Sequence, residues 1–166
     1  MNILLVDDDD DALTSLLLAL RSKGYELFTS RNGIEALEVL NNKPVDLVIT
    51  DILMPAMDGF ELCRQMKSDT SLHEIPLIFH TATYIDKRDK TLAAELGAAE
   101  YLLKPAEPEV LYKTIEDALA AVPQLPVIPM QDQAGIIEQH RNVIAFKLDQ
   151  KVKELEIEKK ALRTQM

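Results

Sequence analysis

A short apolar run that ends on a carboxylate, Leu47-Val48-Ile49-Thr50-Asp51, constrains this chain more than any other stretch. A run with no alternating polar face suits a strand covered on both sides, as in a parallel sheet. Pro55 and the turn dipeptide Asp58-Gly59 follow at once, so the chain leaves the strand into a loop. Open parallel sheets gather ligands beyond the carboxyl ends of their strands, which puts Asp51 where such a fold does its chemistry.

The same pattern recurs along the first 121 residues. Ile3-Leu4-Leu5-Val6 is a buried strand that runs into five aspartates, Asp7 to Asp11, one of which can cap a helix. Leu13, Leu16, Leu17 and Leu20 share a face of that helix, and Gly24 stops it. Residues 25–29 read as a second strand. Asn32-Gly33 opens a second helix with Ile34, Leu37 and Leu40 turned inward. A third helix over 59–67 turns Phe60, Cys63 and Met66 inward. Residues 76–80 and 100–103 read as strands, and residues 86–96 and 107–121 as helices. Strands alternating with helices in this way imply right-handed βαβ units and a five-stranded, doubly wound parallel sheet of order 2-1-3-4-5.

Beyond residue 121 the character changes. Pro123, Pro126 and Pro129 cannot continue a helix, so residues 122–133 read as a linker between a domain over 1–121 and a helix over 134–166. In that helix Leu148, Leu155 and Leu162 fall at heptad position d, with Ala145, Val152 and Lys159 at a. Lys151 would then face Glu156, and Glu158 would face Arg163, across a parallel dimer, with opposite signs in both pairs. The register predicts a homodimer; the competing expectation is a helix folded back on its own domain. Its charged end reads as the interior of a longer signalling protein.

Charge narrows the partners. Residues 1–122 hold 22 acidic and 11 basic side chains, a field that would repel nucleic-acid phosphates. No apolar run approaches the ~20 residues of a membrane span. The first residues lack a basic leader, and a lone cysteine, Cys63, offers no disulfide framework; a reducing cytoplasm is expected.

In a sheet of this order, strands one, three, four and five are neighbours. Asp7 and Asp8, Asp51, Thr81 and Lys104 therefore meet at one edge. Crowded carboxylates repel one another and take up protons unless a cation sits among them. Oxygen ligands with room for water suit Mg²⁺. Lys104 adds a point charge and Thr81 a hydroxyl donor. The set fits phosphoryl transfer onto a carboxylate, with Asp51 as the acceptor and Asp7 and Asp8 toward the metal.

These residues resemble the receiver domain of two-component response regulators, which has the flavodoxin-like fold. Val6-Asp7-Asp8 resembles its acidic pair, Asp51 to Gly59 its phosphoacceptor loop, and Thr81-Ala82 its hydroxyl and small residue. Tyr101 resembles its switch aromatic, and Lys104-Pro105 its lysine with a usually cis proline. The resemblance implies that Asp51 accepts phosphate from a histidine kinase or phosphotransfer protein. It implies that Asp8, Asp51 and the backbone carbonyl of Leu53 ligate Mg²⁺, with Asp7 acting through water. It also implies that Thr81 swings toward the phosphoryl group while Tyr101 turns in behind it. Ala106 and His80 depart from the pattern, which commonly has phenylalanine and an apolar residue there. Leu53 and Thr83 stand where the family tunes dephosphorylation. Two other readings use the same residues. An aspartate-nucleophile phosphatase of the haloacid dehalogenase type would want a second aspartate where Leu53 stands. A binding module that has lost phosphorylation would not need the intact acidic set.

Overall fold

The computed structural model describes residues 1–82, 87–120 and 134–165. Five parallel strands form one sheet: β1 (Asn2–Val6), β2 (Glu26–Ser30), β3 (Leu47–Thr50), β4 (Leu77–Thr81) and β5 (Glu100–Leu103). Their order is β2-β1-β3-β4-β5, the flavodoxin-like arrangement. The helices are α1 (Asp10–Arg21), α2 (Gly33–Asn42), α3 (Gly59–Ser68), α4 (Lys87–Glu95), α5 (Pro108–Ala120) and α6 (Ala134–Thr164). The expected linker over 122–133, the first residue of the expected fourth helix and Thr83 lie outside the described residues.

Each face of the sheet has its own core, because successive side chains along a strand point to opposite sides. Leu4, Val6, Val48 and Phe79 face α2, α3 and α4. Ile3, Leu5, Ile49 and Ile78 face α1 and α5 through Leu13, Leu16, Leu20, Leu111 and Ile115. Ile3–Val6 of β1 and Leu47–Thr50 of β3 are buried throughout, as continuous apolar runs in a central strand require.

Local signals place most helix ends. Asp9 caps α1, its side chain accepting from the Asp11 N–H at 2.9 Å. Asn32 and Asp58 cap α2 and α3 in the same manner, each accepting a backbone N–H at 2.9 Å. Pro108 opens α5, where a missing N–H costs nothing.

The second helix departs from expectation. Ile34 is half exposed, and the inward face is built from Gly33, Ala36 and Leu40, with Leu37 partly buried. That face follows the i, i+3, i+7 spacing from Gly33, whose N–H donates to the Met57 carbonyl at 3.0 Å, so the helix is rotated away from Ile34. The second strand begins at Glu26 rather than Tyr25.

The last helix divides its faces. Val143 is buried in the same core as Leu92 and Ala93 of α4 and Leu96 just beyond it, and Lys147 one turn later is also buried. Leu148, Val152, Leu155 and Leu162 remain at least half exposed. The fold-back thus holds for one stripe of α6, and the heptad stripe is left open. Among the described residues no helix is long and apolar enough to cross a membrane.

Candidate functional site

The parallel register brings the carboxylates together. Val6 pairs with Thr50 across β1 and β3, and the Asp51 N–H donates to the Val6 carbonyl at 2.9 Å, setting Asp51 beside Asp7. The Asp7 N–H donates to the Ser30 carbonyl, and its Oδ1 accepts the Asp9 N–H at 3.0 Å. Asp51 Oδ1 accepts the Ile52 N–H at 2.7 Å. Asp7, Asp8 and Asp51 each offer an oxygen within 4.8 Å of the others.

Lys104 reaches this cluster from the far side of β4. Its N–H donates to the Thr81 carbonyl at 3.0 Å. Its Nζ donates to Asp7 Oδ2 at 2.5 Å and to Asp51 Oδ2 at 3.2 Å. The Lys104–Pro105 peptide is cis. Thr81 is fully buried at the end of β4, and together with Asp8, Asp51 and Lys104 it lines one cavity of about 640 Å³. Leu53 borders the same cavity. Tyr101 stands outside it, its ring against Phe79 at 5.8 Å between centroids, and Phe79 meets Phe60 edge-on at 5.1 Å.

The electrostatics follow from burial and crowding. Desolvation raises the Asp51 pKa; the Lys104 charge pulls it back and Asp7 pushes it up again, leaving it above the ordinary carboxylate value. Asp8 is also raised, first by desolvation and then by the Asp7 charge. For Lys104, burial works against the charged form, but Asp51 and Asp7 outweigh it and hold the ammonium above its ordinary value. One lysine does not neutralise three carboxylates. A hard dication among oxygen donors would lower both raised carboxyl groups, so this donor set fits Mg²⁺.

The structure therefore brings together Asp7, Asp8, Asp51, Leu53, Thr81 and Lys104, and leaves Tyr101 in the adjoining core. Three further residues were not legible as part of this site. Ile144, Leu148 and Lys151 of α6 form another wall of the same cavity. Their i, i+4, i+7 spacing announces a shared face, but nothing in the chain says what that face meets.

His80 lies on β4 between Phe79 and Thr81, and neither ring nitrogen has a hydrogen-bonding partner among the described residues. Burial, with the Lys104 charge behind it, pushes its pKa down to about 4. Cys63 is buried, with a thiol pushed up to about 12, and donates weakly to the Leu96 carbonyl. It packs in the core between the sheet and α3.

Comparison with known proteins agrees with this geometry. The family model for the response regulator receiver domain matches residues 3–116. The protein PilH of Pseudomonas aeruginosa is 35% identical over 118 residues, 71% of this chain and 97% of PilH. The transcriptional regulatory protein GlrR of Escherichia coli is 40% identical over 118 residues, 71% of this chain but 26% of GlrR. A probable transcriptional regulator of Cyanidium caldarium, ycf27, is matched over 47% of its length. The chain thus spans between a quarter and a half of several curated relatives it matches. Among solved structures, the receiver domain of a Syntrophus aciditrophicus histidine kinase superposes with a TM-score of 0.66 at 35% identity, over 78% of this chain and 97% of that one. The chemotaxis response regulator CheY4 of Vibrio cholerae gives 0.66 at 31% identity, over 71% and 98%. The chain belongs to the family of response regulator receiver domains, the phosphoryl-accepting modules of two-component signalling.

Proposed function

We propose that Asp51 is the residue that takes the phosphoryl group, from a phosphohistidine on a histidine kinase or phosphotransfer protein. An Asp51 oxygen attacks phosphorus, the P–N bond breaks, and its electron pair stays on the imidazole nitrogen. The observation that carries this reading is the Lys104 ammonium held between Asp7 and Asp51, with Asp8 within reach of both.

The roles divide by what each group already binds. Both Asp7 oxygens are engaged, one by the Asp9 N–H and one by Lys104, which suits a part played through water. Asp8 is the exposed member of the trio and, with Asp51 and the Leu53 carbonyl, is assigned to Mg²⁺. Receiver domains generally use this ion, which when bound offsets charge on the transferring phosphoryl oxygens. Lys104 stabilises the same charge from the other side, and the Thr81 hydroxyl donates to it. Added negative charge at Asp51 draws Lys104 and Thr81 in, and Tyr101 repacks behind Thr81 against Phe79. Leu103 and Val110, both about half exposed at β5 and α5, lie where a partner would sense the change.

Residues 1–121 form the receiver, 122–133 the linker and 134–166 a signalling helix. The open stripe of Ala145, Leu148, Val152, Leu155 and Leu162 pairs with a second copy as a parallel homodimer. The acidic receiver does not bind nucleic acid directly, and the chain works in the cytoplasm, where its kinase partner presents phosphohistidine.

The test is labelling of the full chain with phosphoramidate and Mg²⁺. One phosphoryl group mapping to Asp51, and none in Asp51→Asn, is expected. Turnover of free phosphate esters would favour a phosphatase instead, and no labelling a binding module. Sedimentation at tens of micromolar checks the dimer, with a monomer counting against it.

A further inference from the structure

The receiver's own elements supply only part of the cavity wall around Asp51. The rest comes from α6, more than ninety residues further along the chain. Val143 anchors that helix in the core beside Leu92 and Leu96, and Ile144 packs partly buried against the same cluster. Beyond this anchor, Leu148 and Lys151 continue along the helix over the space that Asp8, Asp51 and Lys104 border from below. Ile144, Leu148 and Lys151 thus border a space of about 640 Å³ whose other walls include four carboxylates (Asp8, Asp9, Asp51 and Asp58) and Lys104. That is room enough for a phosphoryl group beneath the helix.

We propose that the first half of α6 is a roof that prolongs the life of the aspartyl phosphate. The inference rests on the reading of Asp51 as phosphoacceptor. Loss of the phosphoryl group is hydrolysis: water attacks phosphorus, the bond from phosphorus to the Asp51 oxygen breaks, and the carboxylate leaves with the electron pair. The water's proton passes to the departing phosphate or to solvent. Ile144, with the buried side of Leu148 that borders the cavity while its exposed half is left to the dimer seam, reduces the water that reaches the phosphorus on its open side. Lys151 borders the cavity with its ammonium 3.9 Å from Glu154, and the added charge of the phosphoryl group draws that ammonium inward to hold the phosphorylated side chain and the helix together.

The experiment uses the full chain, phosphorylated with phosphoramidate and Mg²⁺, freed of donor, and followed for phosphate release. Val143→Asp lifts the anchor, and Ile144→Ser is the milder variant should the first fail to fold. Neither position is an a or d site of the dimer seam. Each is expected to shorten the lifetime roughly fivefold, about 1 kcal/mol of barrier. Lys151→Gln is expected to shorten it about twofold, with Lys151→Arg restoring it. Hydrogen exchange over residues 141–151 should slow on phosphorylation in the wild type. Lifetimes unchanged or lengthened in Ile144→Ser and Lys151→Gln, with Asp51 still labelled, would overturn the roof while leaving the phosphoacceptor intact. No label in the wild type would overturn the phosphoacceptor reading, and the guard role with it.

Discussion

Gly59 has no room for a side chain, since a Cβ there would lie 2.1 Å from the backbone oxygen of Asp51. The neighbour is backbone and cannot swing aside, so the first residue of α3 presses directly on the acceptor. Gly59→Ala should cost about 2–3 kcal/mol in urea unfolding and sharply reduce labelling at Asp51, because the loop must shift. His80 makes the opposite case. Its unpartnered nitrogens penalise the fold, and His80→Leu should add about 1–2 kcal/mol. The sign of its pH effect follows from a pKa lowered to about 4 against an ordinary 6.5. Between those values the unfolded chain binds the extra proton, so this residue's contribution is complete above pH 6.5 and is lost as pH falls toward 4. The stability gap between His80→Leu and wild type should therefore widen on acidification, measured by denaturant melts across that window. A constant gap would contradict it. The Asp58-Gly59 turn and the unusual histidine were both visible in the chain. The steric demand on one and the missing partners of the other were not, because each depends on a neighbour that only the folded backbone supplies.

At the scale of elements, the βα alternation, a cap among the aspartates at the start of α1 and the opening of α2 at Asn32-Gly33 were legible, since all are local physics. Asp58 was legible only as part of a turn, not as the cap of α3. The rotation of α2 away from Ile34 was not, because a small inward face of glycine and alanine carries little apolar signal. Nor was the tie between α3 and β4. Lys67, buried at the end of α3, donates from Nζ to the carbonyls of His73 and Ile75, both at 2.9 Å. Desolvation lowers its pKa, and the two carbonyls hold the ammonium in the turn leading to β4. Lys67→Met strands those oxygens and should cost about 1–3 kcal/mol in equilibrium unfolding, whereas a variant as stable as wild type would show the tie to be incidental. The final helix was half legible. Its heptad stripe could be read, but Val143 and Lys147 lie on another face, and a buried lysine gives no apolar periodicity to find.

For the molecule as a whole, the sheet order decides everything at the site. It sets β1, β3, β4 and β5 side by side, so that groups nearly a hundred residues apart, such as Asp7 and Lys104, share a hydrogen bond. That convergence followed from strand ends and topology together, and the family resemblance sharpened the roles. The placement of α6 over the site depended on tertiary packing alone. Convergence also has an energetic signature. Asp8 and Asp51 both have raised pKa values, so the folded state holds protons that the unfolded chain would release, and their contribution to stability is lost as pH rises through the raised values. A bound dication offsets that loss, and its effect should therefore grow from mildly acidic to neutral pH. The most direct measurement is thermal unfolding of the full chain at neutral pH with and without Mg²⁺, beside Asp8→Asn and Asp51→Asn. At a tenfold excess over its dissociation constant, Mg²⁺ should stabilise the wild type by about 1.4 kcal/mol, and stabilise neither variant comparably. Equal melting curves for the wild type with and without the ion, at saturating concentration, would contradict the account.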